Sequence, residues 1–276
     1  MKRNGWMHLV LGGALVLSAA TARAQGPGGG HHGRFGGPME LMGFEGMHGG
    51  KVVKGAPFSA ATTATTNQTL QDGTTINRIA QGYIYRDSEG RIRRDVTFTG
   101  VGALAATGGT HKIVAIFDPV AGVHYMLDAD KKIAYKMTLP AKDGAGTQAF
   151  EQKMQARQQQ EQASGALKVD ALGTQPINGV SAEGTRNTHT IAAGEIGNSA
   201  PIQIVSERWY SADLQTVVQS SRTDPRFGTT TFSLTNIQKT APAATLFIVP
   251  ADYTVQTGGP GHGHHGGPEA APPPGT

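Results

Sequence analysis

The chain has 276 residues, 16% of them charged, no cysteine and a formal net charge of +4. Without cysteine there is no disulfide framework, thiolate metal site, thiol nucleophile or lipidated N-terminal cysteine. Three of the basic residues, Lys2, Arg3 and Arg23, belong to the first 24 positions. Beyond them 21 basic residues face 20 acidic ones, so there is no electrostatic footprint for nucleic acid.

The N-terminus reads as an export signal. A basic start, Met1-Lys2-Arg3, precedes an uncharged apolar run from Met7 to Ala20, and "TARAQ" closes it with a small-x-small site. Cleavage is expected after Ala24, placing the protein in the periplasm or outside the cell. At about 14 residues the run is shorter than the roughly 20 that span a bilayer, and no later segment approaches that length. No transmembrane segment is expected once the signal is gone.

Residues 25–50 and 257–276 are dominated by Gly, Pro and His and bury too little to offset the entropy of ordering them. Both are expected to be disordered. They carry His31, His32 and His48 on one side and His262, His264 and His265 on the other. Imidazoles in such runs bind zinc, nickel or copper loosely, and the bland alternative is a solubilising tail. The expected domain is residues 51–256, long enough for one real core.

Within it the dominant period is two. Ile92, Val96 and Phe98 alternate with Arg91, Arg93, Asp95 and Thr97; Ile133, Tyr135, Met137 and Leu139 alternate with Lys132, Ala134, Lys136 and Thr138; Thr230, Phe232 and Leu234 alternate with Thr231, Ser233 and Thr235. Such patterns mark half-buried strands of an antiparallel sheet. Turn residues recur between them, at "RDSEGR", "DPVAG", "DADKK", Asn178-Gly179 and "DPRFG". The expectation is nine to eleven strands in a meander. "IVAIFD" (113–118) and "IQIVSERWY" (202–210) are apolar on both faces, which suits strands in the middle of a covered, curving sheet.

One segment departs. Residues 146–165, "GTQAFEQKMQARQQQEQASG", lack β-branched side chains after Thr147 and favour a helix. Its apolar stripe is only Phe150 and Met154, so it reads as a solvated surface helix or insertion, with a mobile lid as the sharper alternative.

Catalytic sets are not evident. No serine sits in Gly-x-Ser-x-Gly, and His111, His124 and His189 are not spaced as metal ligands. Asp87, Asp118, Asp128, Asp224 and Asp252 fall where turns need them. The protein is expected not to be an enzyme, and no cofactor is implied. Arg94 shares the apolar parity of Ile92, Val96 and Phe98, so it either snorkels, meets an acid, or stands at a cavity mouth.

The closing strands carry a family resemblance. Trp209-Tyr210 with a polar turn, then Phe232, Asn236-Ile237, Leu246-Phe247 and Pro250, resemble the last hairpins of the LolA-like superfamily of periplasmic lipoprotein carriers. The resemblance implies a mainly β fold, an incomplete antiparallel barrel with one or two helices. It also implies a concave apolar face that receives acyl chains. The residues expected to line that face are Phe98, Phe117, Tyr135, Trp209 and Phe232, with Arg94 near its mouth. The ligand or partner would be a lipid, an acylated protein or an envelope protein; the alternative is an interaction module whose sheet is filled by its own side chains.

Overall fold

A computed structural model describes residues 52–99, 109–139 and 144–258. The expected leader, the segment 25–50 and the tail from residue 259, with the six histidines named above, lie outside the described residues. The elements follow the alternation closely. They are β1 (Phe58–Thr69), β2 (Thr75–Arg86), β3 (Ile92–Thr99), β4 (Thr110–Asp118), β5 (Val123–Asp128) and β6 (Ile133–Thr138). Then come α1 (Gly144–Ala163), β7 (Leu167–Ile177), β8 (Val180–Ile191), β9 (Ile202–Ser211), β10 (Thr216–Asp224) and β11 (Gly228–Gln238). A 3-10 turn, Ala244–Phe247, precedes β12 (Thr254–Thr257).

Twelve strands therefore appear among the described residues, one more than the upper expectation. All join one open sheet in the order β12-β6-β5-β4-β3-β2-β1-β11-β10-β9-β8-β7. Two meanders, β1–β6 and β7–β11, meet where β1 pairs β11 antiparallel. Hydroxyls brace that seam, Thr65 to Thr231 at 2.7 Å and Thr66 to Thr230 at 3.0 Å. The twelfth strand pairs β6 in parallel and extends to Thr257, one residue past the expected domain end.

The turns form as their residues dictate. Asn178 and Gly179 both take positive φ, the requirement of a two-residue hairpin turn. The carboxylates of Asp87, Asp118, Asp128 and Asp224 each accept backbone N–H bonds from their own turns. Asp252 instead faces the Lys132 ammonium at 3.1 Å.

Cross-strand register divides the sheet into two faces. The inner face carries Phe58, Ala60 and Ala64 of β1, and Ala80, Gly82, Ile84 and Arg86 of β2. It continues through Ile92, Arg94, Val96 and Phe98 of β3. Two contacts show that the sheet bends toward this face. A Cβ at Gly82 would stand 1.7 Å from the Asp95 carbonyl oxygen. A Cβ projects out of the sheet, so β3 must fold up over the inner side of β2 there. At the other end the Asn178 amide donates to the Leu234 carbonyl at 2.6 Å, which brings the β7–β8 tip back over β11. Val180 and Ala182 of β8 consequently share a core cluster with Phe58, Ile84, Val218 and Leu234.

Helix α1 forms where β-branched residues cease, steadied by an Arg157–Glu161 ion pair at 2.8 Å. Phe150 and Met154 are 65% and 48% exposed, so the thin apolar stripe stays in solvent.

Candidate functional site

The outer face of β3–β6 is covered over its middle. Val114, Ile116, Leu127 and Ala134 are buried there beneath Phe247, with Leu246, Val249 and Tyr253 packed around it. Arg93 ties the covering segment down, pairing with Asp95 at 2.7 Å and donating to the Leu246 carbonyl at 3.0 Å. The Arg91 guanidinium lies 5.4 Å from the Phe247 ring centre while bonding Asp87. That strap supplies what the alternation on the outer side needed.

The inner face of the same strands is apolar and only half-buried. One cross-strand row runs Ile84–Arg94–Ala115–Met126–Tyr135 across β2 to β6. A second runs Arg86–Ile92–Phe117–His124–Met137. Ile113, paired with Val96, and Ile133, paired with Asp128, extend the patch. Ile113, Phe117, His124, Met126, Ile133, Tyr135 and Met137 all retain partial exposure, whereas Ala115 is buried. Its small side chain leaves a shallow place between Arg94 and Met126.

Register thus brings five of the six expected lining residues, Arg94, Phe98, Phe117, Tyr135 and Phe232, to one face. Phe98 and Phe232 flank a pair of alanines in the row Phe232–Ala64–Ala80–Phe98 and share a cluster with them. Phe117 and Tyr135 belong to the half-exposed patch. Trp209 is the sixth, buried in the core cluster that also holds the inner-face residues Phe58, Ile84 and Leu234 and against which Phe232 packs. A bulge between Val217 and Gln219 resets the parity of the β9–β10 pair, and both Val217 and Val218 are buried. Trp209 packs flat on Gly184, where an added Cβ would meet its ring carbons at 2.6 Å. It belongs to the core cluster with Leu214 and Val218.

Arg94 is 7% exposed and does not run out to solvent. Burial lowers its guanidinium to about 10. His124 is also depressed below its ordinary value by burial, and its Nε2 has no hydrogen-bond partner among the described residues. Sequence reasoning did not place His124, Met126 and Ile113 on this face, although Ile133 and Met137 were already on the face of Tyr135. It also missed Arg86. That guanidinium stacks 4.7 Å from the Phe58 ring and donates to the Ala56 carbonyl from both Nε and Nη2, at 2.9 and 2.7 Å. Nη2 also donates to the Leu214 carbonyl, and burial lowers the group to about 10. Arg86 joins the chain entering β1 to the β9–β10 turn, a structural task that its parity with Ile84 foreshadows.

Among the described residues no three His, Asp or Glu side chains are grouped as a metal site. No helix among them is long and apolar enough to cross a membrane.

No family model and no curated protein matches the chain. Solved structures do. The MucA/MucB complex of Pseudomonas aeruginosa aligns at 11% identity and a TM-score of 0.37, over 79% of this chain and 62% of that one. LprF of Mycobacterium bovis aligns at 11% and 0.33, over 78% and 97%. Lipoprotein LppX of Mycobacterium tuberculosis aligns at 13% and 0.29, over 68% and 90%. MucB, LprF and LppX have the LolA-like fold that the closing strands resemble. The chain spans about three fifths of the MucB structures' length. Likenesses this distant add nothing to what the strand order itself establishes.

Proposed function

We propose that the protein is an exported, non-enzymatic binding protein that sequesters an apolar or acylated ligand on the inner face of β3–β6. One observation supports this reading: the closing segment buries the apolar side chains Val114, Ile116, Leu127 and Ala134 of the outer face, whereas the inner face keeps seven half-exposed side chains in contiguous rows. An acyl chain laid along Ile113, Phe117, Met126 and Tyr135 would gain about 0.8 kcal/mol per buried methylene. Arg94 lies in the same row, where a guanidinium suits a carboxylate or carbonyl head. The ligand is then a lipid or the acyl group of a lipoprotein, held passively and released unchanged. Calorimetry with dodecanoate tests the reading. Saturable binding with a negative heat-capacity change is expected; no saturable binding of dodecanoate or of an acylated peptide would sink it.

A further inference from the structure

The open sheet has two edges, and they differ. Strand β12 ends one side with four residues, whereas β7 ends the other with eleven. β7 is bonded to β8, and among the described residues no strand pairs with its other edge. Thr190 N–H donates to the Ala166 carbonyl at 2.7 Å. Orientation repeats every second residue, so Lys168 and Asp170 also turn their backbone groups toward β8. Leu167, Val169 and Ala171 therefore turn theirs outward. Helix α1, which leads into β7, leaves these positions open: Val169 is 39% exposed, and Lys168 and Ala171 are exposed as well.

The chain blunts one half of this edge and not the other. Ile177 and Val180 flank the two-residue Asn178-Gly179 turn and bond each other, so Pro176 presents its nitrogen outward. A proline offers no N–H to an incoming strand, and a bulge between Ala171 and Gly173 separates that half from the first. Leu167–Ala171 has neither device, and its charges suit one partner. Lys168 and Asp170 stand on one face of the strand, 2.9 Å apart. Asp170 faces Arg186 of β8, which in turn faces Glu207 of β9 and bonds it at 2.6 Å. The alternating row Glu207–Arg186–Asp170 thus reaches the edge on an acid. A lysine at an edge deters an apolar strand, whereas a second copy of this chain supplies Asp170 opposite it.

We propose that Leu167–Ala171 is a dimer contact, β7 pairing antiparallel with β7 of a second copy about a two-fold axis at Val169. In that register Val169 faces Val169, Leu167 faces Ala171, and Lys168 faces Asp170. The three outward residues of each copy exchange about six backbone hydrogen bonds. Each Lys168–Asp170 pair across the contact extends the charge row through Arg186 and Glu207. The smallest slide that keeps the outward groups facing is two residues. It sets Lys168 against Lys168 or Asp170 against Asp170, so charge selects the register. The inner face of β3–β6 and strand β7 lie toward opposite ends of the strand order, and the contact does not depend on the binding reading above.

Sedimentation velocity of the purified chain tests this. The parent should form a dimer whose fraction rises with concentration. Val169→Pro removes an outward N–H that β8 does not use, so the fold should persist by circular dichroism while dimer affinity falls at least tenfold. Lys168→Asp should weaken the dimer at least tenfold, and so should Asp170→Lys. An equimolar mixture of those two variants restores both opposite-charge pairs and should associate as the parent does. Lys153→Asp, exposed on α1, should have no effect. A folded Val169→Pro that dimerises like the parent overturns the proposal. So does a mixture of the two folded charge variants that associates no more than either alone. A parent that stays monomeric to millimolar concentration overturns it too, and would leave the edge to an extended strand of a different protein.

Discussion

Arg94 and Tyr135 stand in one cross-strand row of the inner face, with only Ala115 and Met126 between them. A buried cation thus shares a row with a half-exposed aromatic across four strands. The row has a partner surface on its back, where Phe247 seals the outer side of β4 and β6. One side of the sheet is finished by the chain itself, and the other offers apolar surface.

The bend toward the inner face depends on Gly82. Gly82→Ala places a methyl against the Asp95 carbonyl and should cost about 3 kcal/mol or more, with β2–β3 pairing disturbed. Gly122→Ala meets only open space and bears the left-handed φ penalty alone, about 1 kcal/mol. Urea unfolding of the two variants checks the difference; equal losses would show that the bend does not depend on that position.

Arg86 should be a larger stability determinant than any surface ion pair. Arg86→Met strands the Ala56 and Leu214 carbonyls and is expected to cost about 3 kcal/mol. Breaking the exposed Lys239–Asp213 pair should cost well under about 1 kcal/mol. Chemical denaturation of Arg86→Met and Lys239→Met separates the two.

Acid should weaken the fold through His124. Burial holds its folded-state affinity for protons below the ordinary 6.5. The unfolded chain therefore takes up a proton as pH falls through about 6.5 while the folded chain does not, and stability declines there. Between pH 7 and 5.5 the loss is up to about 1 kcal/mol. Unfolding curves across that range should flatten in His124→Gln; an unchanged pH dependence would assign the loss to other groups.

The strap over the outer face should be cooperative with the strands beneath it. Phe247→Ala opens the cluster of Val114, Ile116, Leu127 and Ala134, at about 4 kcal/mol. Hydrogen exchange should speed up in β4–β6 and leave β8–β10 unchanged. Uniform acceleration would mean that the two meanders unfold as one unit.

Much of this was legible in the sequence because period-two alternation survives wherever a strand is regular. It put Arg94 and Phe98 on one face, and Ile133, Tyr135 and Met137 together. Alternation is silent on curvature, however. Gly82 is a single glycine in "AQGYIYR", and its close approach to Asp95 is a tertiary fact. It is equally silent on the bulge between Val217 and Gln219, and on the packing of Trp209 on Gly184 within the cluster against which Phe232 also packs. β12 was missed because four residues in parallel pairing leave no pattern. The covering role of Leu246-Phe247 came from long-range packing that no local signal records.

The most direct test of the central claim titrates 11-(dansylamino)undecanoic acid into the purified chain and two charge variants. Tyr135→Glu puts a carboxylate into the inner row, while Thr231→Glu puts one on the exposed outer face of β11. The account predicts saturable binding by the parent, at least tenfold weaker binding by Tyr135→Glu, and no change for Thr231→Glu. Binding that tolerates Tyr135→Glu, or that responds equally to both variants, would contradict it.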